Sequence, residues 1–212
     1  MKRRSAFLIL ALGLVLGLCA CGGGGTATPG AADVKLAGGT WTETLEYPFN
    51  VDDYTASDEI RAIPEDWTLP GDLSIDEKTR TEVCGERLLY GPFDGSTLNG
   101  FTVVNYTGEG QVEEVYQFTD GVTVTWQQFF NVDGTRIAFP WKAAPESEAW
   151  SLRVVDLASG KAEDLDLPEG AGDRDLLLCA WNNDLIVTAV NMDYDDGENA
   201  PLTWVYAFPE AE

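Results

Sequence analysis

The sequence predicts an all-β domain of antiparallel meander repeats, propeller-like in plan, with a β-sandwich as the alternative arrangement. Three observations predict it. Apolar and polar residues alternate at period two: Val122, Val124, Trp126 and Phe130 against Thr123, Thr125 and Gln127. Turn chemistry separates such runs, at Asp120-Gly121, Asp133-Gly134 and Ser159-Gly160. These features recur at steps of about fifty residues. Long helical patterns are missing, and at most a turn or two is expected near Ile75–Arg80.

The chain opens with a segment of another kind. Lys2, Arg3 and Arg4 precede an uncharged apolar run from Ala6 to Leu18. That run is shorter than the roughly 20 residues of a transmembrane helix and suits the core of a secretory signal peptide. Leu18-Cys19-Ala20-Cys21 follows. This stretch resembles the lipobox of bacterial prolipoproteins, with Cys19 in place of the more usual small residue. The resemblance implies cleavage before Cys21 and acylation of its thiol. Residues 1–20 are thus expected to be signal peptide, and residues 21–40, beginning Cys21-Gly22-Gly23-Gly24-Gly25, a lipid-anchored tether. A single β-rich domain is expected over 41–212. The expected address is a cell membrane on its extracytoplasmic face, or the outer membrane where the host has two.

Charge and composition exclude whole classes of function. The 212 residues carry a formal net charge of −23 and contain no histidine. Such an anionic surface repels phosphate backbones, which argues against nucleic-acid binding. Lacking histidine, the chain has no Ser-His-Asp or Cys-His machinery and no imidazole metal site. Beyond the lipobox two cysteines remain, Cys84 and Cys179. Outside the cytoplasm an even pair points to a disulfide, worth up to about 4–5 kcal/mol for so long a loop in the chain-entropy account; two buried thiols are the alternative.

The repeat carries the domain. Tight turns fall at Cys84-Gly85-Glu86, Asp133-Gly134 and Asn182-Asn183-Asp184. A strand is expected after each, over Arg87–Pro92, Thr135–Pro140 and Leu185–Val190. Longer loops follow at Asp94–Gly100, Lys142–Ala149 and Asp193–Pro201, and then second strands at Phe101–Tyr106, Trp150–Leu157 and Leu202–Phe208. Turns at Gly108–Gly110 and Ser159-Gly160 lead to Val112–Phe118 and Lys161–Leu167. NVDGTRIAF followed by SLRVVDLASGKAEDL resembles TolB-type β-propeller repeats, which implies a blade for each unit. Closed propellers have at least about four blades. Either Trp41–Tyr47 therefore opens a degenerate fourth unit, or the array stays open.

On this plan the long loops share one face, which would carry Asp94, Trp141, Lys142, Asp193, Asp195 and Asp196. Asn191, Asp193 and Asp195 alternate as hard oxygen donors for calcium, although Asp196 occupies the place of the EF-hand glycine. Trp126, Trp150, Trp181 and Trp204 sit on strand alternations and read as core, whereas Trp67 and Trp141 are the better surface candidates, with loop packing as their expected role. The expected function is a non-catalytic binding or interaction module for an envelope protein or glycan. The alternatives are a carboxylate-dependent envelope glycoside hydrolase and a purely structural lipoprotein.

Overall fold

A computed structural model describes residues 35–44, 62–73, 75–124, 128–169, 171, 176–190 and 202–209. Among them there is no helix, and every strand pairing is antiparallel. Residues 1–34, which include the expected signal segment, Cys21 and most of the expected tether, lie outside the described residues.

The first unit is β2 (Thr79–Cys84), β3 (Arg87–Asp94), β5 (Phe101–Gly108) and β6 (Gln111–Phe118), each paired with the next. The second is β7 (Val122–Val124), β8 (Arg136–Lys142), β9 (Ser151–Asp156) and β10 (Ala162–Leu165). A two-residue strand, β4 (Thr97–Leu98), pairs with both β3 and β7 and fuses these units into one nine-stranded sheet. The third unit is β11 (Leu176–Trp181), β12 (Leu185–Val190) and β13 (Leu202–Ala207). Its fourth place is taken by β1 (Thr40–Thr44), in register from Thr40 opposite Ala207 to Thr44 opposite Thr203.

Several expectations are corrected here. The strand expected at Trp41–Tyr47 is β1, and it completes the third unit instead of opening a fourth. The turns near Ile75–Arg80 are not helical: Asp76 caps a tight turn into β2, accepting the Lys78 N–H (2.9 Å) and the Thr79 hydroxyl (3.0 Å). Helix geometry there would forfeit the cross-strand pairing of Thr79 and Arg80. The first long loop is largely consumed by β4, because Thr97 and Leu98 find open ladder positions on β7.

Two apolar clusters hold the units together. One joins the first unit to the second through Leu89, Phe101, Val103, Phe118, Ile137, Phe139 and Val155. The other joins the second to the third through Ala138, Leu152, Val154, Trp181, Ile186 and Trp204. Adjacent residues of β8 and β9 thus point to different cores. This is why Ile137-Ala138-Phe139 and Val154-Val155 read as unbroken apolar runs and not as clean alternation. Each of these large side chains contributes roughly 1.5–3 kcal/mol by leaving water.

Candidate functional site

The tight turns of successive units meet at one end of the molecule. Arg87 opens β3 and its Nη1 donates to the Gly134 carbonyl. Arg136 opens β8 and its Nη1 donates to the Asn183 carbonyl (3.4 Å). Donor and acceptor are 47 residues apart in both bonds, so the repeat is a repeat of contacts as well as of strands. Asn131 is buried between the turns. Its amide nitrogen donates to Asp133 (2.7 Å) and Asn183 (2.8 Å), and its oxygen accepts the Arg136 N–H (2.8 Å). Burial pushes the Asp133 carboxyl upward, but hydrogen bonds from Thr135 and Asn131 outweigh it and hold the group below its ordinary range. Gly134 has φ +69°, and a Cβ there would stand 2.9 Å from the Cys84 sulfur. These groups bond one another, so this end is a structural clasp.

Cys84 is a free, half-buried thiol at the end of β2. Burial first, and then the Glu82 carboxylate, push it up, away from the reactive thiolate. The thiol of its expected partner Cys179, on β11, lies outside the described residues. Nearby, Glu82 is wholly buried and accepts the N–H groups of Phe129 (2.8 Å) and Phe130 (2.9 Å), with the Arg80 guanidinium 3.6 Å away.

Trp141 lies on β8 and not on a loop, which corrects its expected place on a loop face. Arg153 stacks over its ring, 4.4 Å from the centroid, and its indole N–H donates to Asp164 (3.0 Å). Asp164 takes both Nε (2.8 Å) and Nη2 (3.0 Å) of Arg153, and Asp120 takes Nη1 (2.5 Å). Burial alone would lower the guanidinium pKa, but bonds to Asp164 and Asp120 raise it, so the charge is permanent. Lys142 sits 4.3 Å above the ring of Trp150. Trp181 and Trp204 are core as expected, Trp150 is half-buried against that core, and Trp126 lies outside the described residues. The binding-face residues Asp193, Asp195 and Asp196, with the calcium donor Asn191, also lie outside them. Among the described residues, no group of three or more acidic or cysteine side chains is placed to hold a metal ion.

The remaining candidate was not anticipated from sequence. It is the face of the first unit turned away from the second. Strand registers set Thr81, Tyr90, Thr102 and Gln117 opposite one another across four strands. A parallel row holds Val83, Leu88, Val104 and Glu114. The segment 62–73 straps one side: Trp67 stacks on Tyr106 (4.3 Å, 10°), and the Thr68 carbonyl accepts the Gly110 N–H (2.8 Å). Trp67 thus packs within the strap, as expected for its loop. Two hollows remain on this face, of about 470 Å³ beside Lys78, Asn99 and Gln117 and about 760 Å³ beside Leu73 and Val112. Tyr90 lines both. Among the described residues, the side chains of Tyr90, Asn99, Thr102 and Gln117 have no hydrogen-bond partner within the protein. The signal for this face lay in the alternation itself: Tyr90, Thr102 and Gln117 are the off-core members of β3, β5 and β6.

No family model, curated protein or solved structure matches the chain.

Proposed function

We propose that the protein is a lipoprotein anchored through Cys21 to the extracytoplasmic face of a membrane, displaying an open, propeller-like array of three blades as a non-catalytic interaction module for an envelope protein or glycan. The observation that carries the reading is Cys21, placed after a basic, apolar leader and before a glycine tether. The array supports it. Its blades pack face on face and the middle one is buried on both sides, an arrangement a two-layer sandwich does not require. The N-terminal strand closing the last blade ties the tether end of the chain into the scaffold.

A hydrolase needs two carboxyl groups facing a cleft. Asp120 and Asp164 do converge, but on the Arg153 guanidinium, which holds both as counter-charges. Binding is therefore favoured over hydrolysis. The test is capture from native membranes with the full chain solubilised in detergent. Recovery of a defined protein or glycan is expected, and repeated failure to recover either would remove the reading. Cys21→Ser is expected to release the protein from the membrane fraction, and unchanged retention would refute the anchor.

A further inference from the structure

We propose that the outer face of the first unit binds a neutral oligosaccharide, with one sugar ring stacked on Tyr90 and its hydroxyls bonded by Asn99, Thr102 and Gln117. This deepens the reading of the chain as a binding module and rests on it.

The chemistry of the face argues first. The opposite face of the same strands presents Leu89, Phe101, Val103 and Phe118, which pack against the next unit, with the buried Glu82 and Arg80 of β2 beside them. Were the outer face meant for another sheet, its rows would match. Instead one row places a single aromatic between hydroxyl and amide side chains. A sugar ring has the complementary surface, with a C–H face for an aromatic and a rim of hydroxyls that both donate and accept.

Unspent hydrogen bonding argues second. Elsewhere side-chain amides are committed: Asn105 to Arg87 (3.2 Å), Asn131 to the turn clasp, Gln128 to the Phe130 carbonyl (2.8 Å). Asn99 and Gln117 stand at the same hollow with no such commitment among the described residues. Thr102 lies between Tyr90 and Gln117 in the register.

Shape and charge define the ligand further. The two hollows meet at Tyr90, so the bound chain extends on both sides of the stacked ring. A net charge of −23 repels polyanions, and the groove sets Lys78 against Asp76, Asp72 and Glu114, an excess of negative charge that turns anionic glycans away. A neutral glycan fits this balance.

The test uses the full chain extracted in a detergent without a sugar headgroup, titrated calorimetrically with cellohexaose, chitohexaose and maltohexaose. At least one is expected to bind. Tyr90→Ala and Gln117→Ala are each expected to weaken it by about three- to tenfold, while Tyr90→Phe keeps most of the affinity. Gln117 is exposed, so its variant reports on binding even where Tyr90→Ala perturbs the fold. If none of the three binds, or if both alanine variants bind as the parent does, the proposal is overturned. In that event a protein partner captured equally by parent and Tyr90→Ala leaves the module reading standing and removes the glycan site alone.

Discussion

Glu82 is a carboxylate with no access to water, and its role is to terminate main-chain N–H groups. Phe129 and Phe130 lie between β7 and β8 of the second unit, and their amides would otherwise be buried without acceptors. Glu82→Ala removes that acceptor and the counter-charge beside Arg80, so a loss of about 3–5 kcal/mol is expected in denaturant unfolding. A loss below about 1 kcal/mol would show that the contact is incidental. Arg153 makes a second residue-scale prediction. Lysine there keeps the charge but loses the two-pronged bond to Asp164 and the flat stack on Trp141, so Arg153→Lys is expected to destabilise despite conserving charge. An unchanged melting temperature would contradict it. Asp133 and Glu163 give a pH dependence. Both carboxyls are held below their ordinary values of 3.8 and 4.5: burial opposes this, and hydrogen bonds outweigh it. Groups of this kind add stability that is present above the ordinary value and disappears as pH falls through the lowered one. Melting temperature is therefore expected to fall below about pH 4.5, and less steeply in Asp133→Asn.

At the scale of elements, β1 is the strand whose attachment is most exposed to a single change. Tyr206 fixes its approach, donating to the Leu36 carbonyl (2.8 Å) and accepting the Gly39 N–H (2.9 Å), while Glu163 accepts the Ala37 N–H (2.7 Å). A Cβ at Gly39 would fall 2.0 Å from the Ala207 carbonyl and 2.6 Å from the Tyr206 ring. Gly39→Ala is expected to detach β1 and to speed amide exchange along β13, measured by hydrogen exchange. Protection equal to the parent's would show that β1 does not depend on this approach. The tight turns, and the strands that follow them, were legible in sequence because glycine and asparagine punctuation and period-two alternation are local signals. The pairing of β1 with β13 was not, since Gly39 and Tyr206 are 167 residues apart and nothing local marks them as neighbours. The clasp lay between these cases. Arg87 and Arg136 occupy matching positions in two units, but only the fold shows that each reaches the next turn. Trp141 was read as a loop residue because its strand runs through Pro140, a residue that usually ends one. The polar row on the outer face of the first unit stayed hidden because Tyr90, Thr102 and Gln117 read as the solvent half of ordinary strands.

Across the whole molecule, each unit supplies one face to each neighbour: β4 fuses the first two units into one nine-stranded sheet, and the second apolar cluster joins the third unit to the second. Such a body presents its uncovered faces on rigid strands. A net charge of −23 disfavours contact with anionic lipid headgroups, so the proposed attachment rests on Cys21. The measurement closest to this claim is intact-mass analysis of the native protein extracted from membranes. A chain that begins at Cys21 and carries acyl groups on that residue is the predicted result. A chain that still begins at Met1, with an unmodified thiol at position 21, would contradict the account.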